Sequence, residues 1–165
     1  MKRTDLPPRF QHLLEQSSYA TIATADPNSQ PWNTPVVGVF DDELNLYWIS
    51  AADSQHSQNI AGNPHVFVVI YDSHAADGEG EGLYLRMRAE PVTKVSLLRR
   101  ALCTYGKAAF FRLPDGTLPT FRGECPLRVY RAEPLKIWCN TTIRRQSGHT
   151  VDSRQLLLAA DDQMG

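Results

Sequence analysis

Residues 54–59 read Ser-Gln-His-Ser-Gln-Asn and lie between apolar stretches. Hydroxyl, amide and imidazole groups at that density can hold an anion if a helix begins there, because the first N–H groups of a helix have no partner within it. Asp53 or Ser54 is placed to cap such a helix, and Gly62-Asn63-Pro64 is placed to end it. The chemistry on offer is binding. No pair of titratable groups along the chain is poised as general acid and base.

Other arrangements lead nowhere. Gly78-x-Gly80-x-Gly82 carries Glu79 and Glu81, which repel phosphate, and no helix follows it, so it is not a dinucleotide fingerprint. There is no Walker sequence and no GxSxG. Ser147-Gly148-His149 reads as a surface loop. His12, His56, His65, His74 and His149 show neither HExxH nor paired-ligand spacing, and no metal site is expected. Cys103 sits among apolar and basic helix residues and is expected in the core. Arg99-Arg100 is expected on a solvated helix face.

The elements that must position residues 54–59 are mostly strands. Pro7-Pro8 precedes a short helix whose Phe10, Leu13 and Leu14 share a face. Tyr19 to Ala25 is a first strand, Pro31 to Phe40 a second and Leu44 to Ser50 a third, with Asp26-Pro27-Asn28-Ser29 and Asp41-Asp42-Glu43 as turns. On the third strand Leu44, Leu46 and Trp48 take one face and Asn45, Tyr47 and Ile49 the other. The short helix ending near Ala61 follows. Val66 to Tyr71 is apolar on both sides, which predicts a central strand buried on both faces. After the acidic loop 77–82, Leu83 to Pro91 is a fifth strand, with Leu83, Leu85, Met87 and Ala89 inward. Thr93 caps a helix carrying Val95, Leu98, Leu102 and Tyr105 at helical spacing. Residues 107–124 are loop-like, with a turn at Pro114-Asp115-Gly116. Leu127 to Tyr130 and Leu135 to Asn140 read as two further strands, and the tail from Thr141 is polar and weakly patterned. Many short strands with few helices predict a mainly β (α+β) fold, an antiparallel barrel with flanking helices, rather than βαβ units.

At 165 residues and 42% hydrophobic content the chain is expected to form one soluble domain, with its core at about 10–140. A net charge of −1 gives no reason to expect nucleic acid or a membrane surface as partner. No 18-residue apolar run and no secretory signal is present. Cys103, Cys125 and Cys139 are odd in number and lack a CxxC, which suits reduced thiols in a cytoplasmic protein.

Five segments in register resemble the FMN-binding split-barrel family, the pyridoxamine 5′-phosphate oxidase-like proteins. They are Gln30-Pro31, Ile49-Ser50, Ser54-Gln55-His56, Asn63-Pro64-His65-Val66 and Ala89-Glu90. Tyr130 to Trp138 is similar to the family's C-terminal strand, which carries a tryptophan near the flavin. The resemblance covers roughly residues 10–140. It implies an antiparallel Greek-key split barrel, a homodimer, and FMN in a groove between subunits.

The resemblance also implies site residues. Asn33, Thr34, Pro35, Val36 and Val37 would line the isoalloxazine, largely through backbone groups. Ile49 and Ser50 would lie near the ribityl chain or phosphate. Ser54, Gln55, His56 and Asn59 would face the phosphate. Trp138 and Asn140 would approach from the partner subunit, with Arg154 a weaker match. Trp32, Trp48 and Trp138 read as exposed aromatics suited to a dimer contact. The pyridoxamine oxidases themselves place arginine where this chain has Thr34, lysine where it has Val39, Arg-Lys where it has Gln55-His56, and glutamine where it has Gly82. A phosphate gains charge-assisted bonds from such groups. A pyridoxamine 5′-phosphate oxidase activity is therefore not expected, and Arg86 or Arg88 is the expected source of charge. The expected function is a flavin-dependent oxidoreductase acting on a small molecule. A non-catalytic flavin-binding module, or the same barrel holding a deazaflavin or haem, stays open.

Overall fold

A computed structural model of the protein describes residues 1–76, 80–108, 121 and 123–159. After a single 3-10 turn at Arg3–Asp5 come helix α1 (Pro8–Gln16) and strands β1 (Tyr19–Ala25), β2 (Pro31–Phe40) and β3 (Leu46–Ala51). Helix α2 (Gln55–Gly62), β4 (His65–Tyr71), β5 (Gly82–Pro91), helix α3 (Val95–Lys107), β6 (Leu127–Arg144) and β7 (Thr150–Ala159) follow. Every strand pairing is antiparallel, in the order β3-β2-β1-β4-β5-β6-β7. β6 also pairs with β3, closing six strands into a ring and leaving β7 outside on the edge of β6.

Alternation builds the core. Ala20 and Ile22, Val66, Val68 and Ile70, and Leu83, Leu85, Met87 and Ala89 all point into the barrel. Phe10, Leu13 and Leu14 of α1 and Ile60 of α2 pack against them. A second cluster lies between the barrel and α3: Val39, Tyr47, Val92, Ala101, Tyr105 and Val129. The two faces expected for the third strand therefore meet two different cores, although the strand begins at Leu46.

The barrel is split. β2 pairs with β3 only at Gly38, Val39 and Phe40. Residues 31–37 of β2 pair with β1 alone, and residues 49–51 of β3 pair with β6 alone. At the last shared pair a Cβ on residue 38 would lie 2.7 Å from Leu46 Cδ1 and 3.3 Å from the Tyr47 carbonyl oxygen, so a larger residue there would displace Leu46. Tyr105 of α3 sits at the same fork. Its hydroxyl donates toward the carbonyls of Val37 (3.2 Å) and Tyr47 (3.1 Å).

Several expectations need correction. Trp48 is fully buried and stacks on Tyr130 at 5.3 Å, so it is not an exposed aromatic. Cys103 is exposed, on the opposite side of α3 from Ala101 and Tyr105. Val95 is exposed, and Lys94, not Thr93, holds the N-cap position of α3 with no side-chain cap bond. Arg100 is not simply solvated: it lies 2.9 Å from Asp41 and 2.9 Å from Glu43. β4 is central but buries only one face; Phe67 and Tyr71 are 37% and 57% exposed on the other. The two strands expected after residue 127 are one strand. Its pairing with β5 shifts between Arg86 and Met87, so β6 carries an extra residue beside Pro134. A bulge tolerates a residue with no N–H to donate. β7 lies in the stretch from Thr141 for which no strand was expected. The loop expected over 107–124 and its turn at Pro114-Asp115-Gly116 lie largely outside the described residues.

Candidate functional site

The turn after β3 folds the start of α2 back over the strand's end and gathers Ser50, Ser54, His56, Ser57 and Asn59. Ser50 Oγ lies 2.9 Å from His56 Nε2. Ser54 Oγ is 2.9 Å from both the Ala51 carbonyl and Ser57 Oγ, and 3.3 Å from His56 Nε2. Gln55 donates to Asn59 Oδ1, and Asn59 donates to Thr24 Oγ1 on β1, each at 2.9 Å. The network ties the end of β3, the first turns of α2 and the end of β1 together around the open part of the barrel.

His56 is not a solvated helix residue: it is only 6% exposed. Burial disfavours the imidazolium and pushes its pKa below 6.5. At neutral pH it is an uncharged hydrogen-bonding group. Asn59 is fully engaged between Gln55 and Thr24, so it braces α2 and has no amide group turned outward. Ser50 and Ile49 are half-buried at the strand end, and Gln55 is exposed.

Across the split stands β2. Thr34 is half-buried and Val36 packs into the barrel core, while Asn33, Pro35 and Val37 face outward. The Val37 carbonyl turns away from β1 onto Tyr105. Backbone groups alternate sides in an antiparallel strand. The carbonyls of Asn33 and Pro35 and the N–H groups of Asn33 and Val37 therefore turn the same way, toward the opening. Pro35 has no N–H there to leave unpaired.

The remaining expected residues lie elsewhere. Trp138 is half-buried on the outer face of β6, with Phe67 at 6.3 Å and the Arg86 guanidinium 6.0 Å from its ring centre. It pairs with Tyr84 of β5 and Leu156 of β7, beyond residues 127–132 of β6 that meet β3. One chain thus does not bring Trp138 to the β2 edge. Asn140 accepts from Gly82 N–H at 2.8 Å and donates to the Gly80 carbonyl at 2.6 Å, fastening the 80–82 segment to β6. Arg154 lies opposite Asn140 on β7, its guanidinium 4.2 Å from the centre of the Tyr84 ring. Arg86 and Arg88 are exposed on the outer face of β5, away from the barrel interior.

Arg128, which the sequence reading passed over, lies directly opposite Ser50 in the β3–β6 pair. Its guanidinium donates to the carbonyls of Gly123 and Leu127, each at 2.9 Å, and of Cys125. Cavities lie away from the cluster. One of about 770 Å³ is bordered by α1 and the end of β4, with Arg9, His12, Tyr71 and His74 in its wall. One of about 440 Å³ lies on the outer face between Thr24, Phe67 and Arg86. No group of three or more acidic, histidine or cysteine residues suited to a metal exists among the described residues. No described helix is long and apolar enough to cross a membrane.

Solved structures with this arrangement are numerous. A 5-nitroimidazole antibiotic resistance protein, so described provisionally, from Bacteroides thetaiotaomicron superposes with a TM-score of 0.65 at 14% identity, over 79% of this chain and 81% of that one. The haem storage protein HutZ from Vibrio cholerae gives 0.64 at 19% identity, over 78% and 89%. A pyridoxamine 5′-phosphate oxidase-related, FMN-binding protein from Nostoc punctiforme gives 0.60 at 13% identity, over 91% and 97%. At such identities these show a shared fold. No curated protein matches the chain in sequence. Residues 6–139, from just before α1 to within β6, match the pyridoxamine 5′-phosphate oxidase family, and the chain belongs to it.

Proposed function

We propose that the protein is a homodimeric FMN-binding oxidoreductase that acts on a small molecule other than pyridoxamine 5′-phosphate. One observation carries the reading: the groups suited to a flavin are divided between two places on each chain. The β2 edge and the Ser50–His56 cluster flank the split, while Trp138 lies on the outer face of β6, between β5 and β7 and beyond the part that meets β3. A second copy meeting that face is the way to unite them.

The residues fit FMN. The β2 edge offers carbonyls and N–H groups of the kind a flavin's pyrimidine ring pairs with, and Val37 and Pro35 offer apolar contact for the ring. Ser50, Ser54 and Ser57 are hydroxyl donors for a phosphate. Thr34 on β2 and Gln55 and neutral His56 on α2 leave both elements without the cations of the pyridoxamine oxidases, which argues against their substrate and for a different one. Bound FMN would supply electron transfer at its ring; the chain's groups would hold and orient it. The Vibrio relative's haem is a weaker fit. His56 is committed to Ser50, and His65, His74 and His149 are exposed, so no imidazole stands free inside the barrel.

The test is an absorption spectrum of the purified protein after incubation with excess FMN and desalting. Retained flavin bands that bleach under anaerobic NADH or NADPH support the reading. Retained bands that neither nucleotide bleaches leave a flavin-holding module, and a bare protein spectrum removes FMN altogether.

A further inference from the structure

We propose that Arg128 is the cationic ligand of the cofactor's phosphate, supplying from β6 the charge that α2 and β2 lack. The inference rests on the FMN reading and names the group on which its affinity depends.

The register places it. Ser50 pairs with Arg128, and two residues along the same face Trp48 pairs with Tyr130. The Trp48–Tyr130 stack at 5.3 Å shows that side chains at these paired positions meet. Arg128 therefore projects on the Ser50 side of the β3–β6 pair, beside the hydroxyl that touches His56. Ile49 and Val129, one residue off, face α3 instead.

Its partners leave its charge uncancelled. Arg128 is half-buried and bonds only to main-chain carbonyls, and among the described residues no carboxylate lies within ion-pair distance of it. A partly desolvated guanidinium without a counter-ion favours an anion. The carbonyls of Gly123, Cys125 and Leu127 hold the planar group in one orientation and leave part of its fork of five donors unused. His56 is neutral at working pH, and Arg86 and Arg88 face the other way. Arg128 is thus the fixed positive charge on the cluster's side of the barrel. A phosphate reaching Ser50 and His56 would meet a charge-assisted donor there.

The experiment titrates FMN and riboflavin, which differ by the phosphate alone, into the full-length protein, Arg128→Met and Arg128→Lys, followed by flavin fluorescence near neutral pH. The unaltered protein is expected to prefer FMN over riboflavin. Arg128→Met is expected to weaken FMN by about 10- to 100-fold, the usual loss for one charged hydrogen-bonding partner, while leaving riboflavin within about twofold. Arg128→Lys is expected to keep part of the preference. Equal affinity of the unaltered protein for FMN and riboflavin overturns the proposal, as does an Arg128→Met protein that keeps the full preference for FMN. If the Met variant binds neither ligand because it does not fold, the Lys variant decides: a reduced FMN preference with riboflavin binding intact supports the phosphate role, and an undiminished preference overturns it. A wild-type protein that binds neither flavin refutes the FMN reading itself, a result distinct from any of these.

Discussion

His56 is the residue on which the electrostatics of the site turn. Its folded pKa lies below 6.5 because burial disfavours the charged ring. The unfolded chain therefore binds more protons than the folded one as pH falls through 6.5, and stability must fall with it until the lowered folded value is passed. Melting temperature measured from neutral pH downward should decline from about pH 6.5, the ordinary histidine value. His56→Gln should flatten that decline; an unchanged slope would assign the acid sensitivity to other groups. The same residue tunes anion binding under the FMN reading. A phosphate beside the ring restores its affinity for a proton, so FMN should bind more tightly as pH falls. His56→Lys, with a permanent charge, should bind FMN more tightly at neutral pH and lose most of the pH dependence. An unaltered dissociation constant would place His56 outside the phosphate's reach. None of this was visible in Ser-Gln-His-Ser-Gln-Asn, a stretch with no apolar residue to announce burial. What buries it is tertiary: Ser50 from the strand before, and Thr24 from 35 positions away in the chain, holding Asn59. Arg128 was hidden for a similar reason, since only the closing β3–β6 pair sets it opposite Ser50.

At the scale of elements, the fork between β2 and β3 is the device that makes a site out of a sheet. A strand pair that continued past Gly38 would consume the backbone groups of residues 33–37. Tyr105 holds the fork by bonding carbonyls on both strands, and burial raises its own pKa, which keeps the hydroxyl protonated and able to donate. Tyr105→Phe removes only that oxygen, whose single proton serves one carbonyl at a time, and leaves the Val37 carbonyl without it. It should destabilise the protein by about 1–3 kcal/mol, the cost of an unsatisfied buried group, in a urea titration. A loss below about 0.5 kcal/mol, the size of an ordinary surface change, would mean that α3 packing alone holds the fork. The bounds of β1 and β2 were legible because Asp-Pro-Asn-Ser and Asp-Asp-Glu clusters close them, and Asp26 and Asp41 do accept bonds from the backbone of those turns. β6 was not legible as one strand, because Ala-Glu-Pro looks like an interruption and only the bulge opposite β5 absorbs it. β7 escaped because an edge strand needs no apolar face: Asp152, Arg154 and Gln155 sit in it exposed.

For the whole molecule, the outer face of the barrel is the argument for a second copy. Register places Tyr19 and Val37, Phe67, and Trp138 and Leu156 on one side of β1, β2, β4, β6 and β7. Tyr19, Phe67, Tyr71 and Leu156 are 63%, 37%, 57% and 50% exposed. Exposed aromatic and aliphatic side chains grouped on one sheet face, with Arg86 and Arg88 of β5 among them, suit an association surface. Of the tryptophans expected to be exposed, Trp32 is 48% exposed but Trp48 is in the core, and Phe67 and Tyr71, read as buried on a two-sided strand, stand on this face. Phe67→Asp tests the surface and its link to the site together. The new carboxylate would lie opposite Arg86, its partner in the β4–β5 register, so the strand pair gains a favourable cross-strand charge pair while the face loses an apolar contact. Light scattering should show the unaltered protein at twice the chain mass and the variant at the chain mass. Phe67 points away from Ser50, His56 and Arg128, and β1 separates it from Pro35 and Val37, so a flavin held by one chain alone would feel the change little. A flavin completed by Trp138 from the partner would: FMN affinity should fall at least tenfold in the monomeric variant, the loss of about 1.4 kcal/mol of contact. A monomeric variant that binds FMN as the dimer does would confine the cofactor to one chain and leave Trp138 as interface packing.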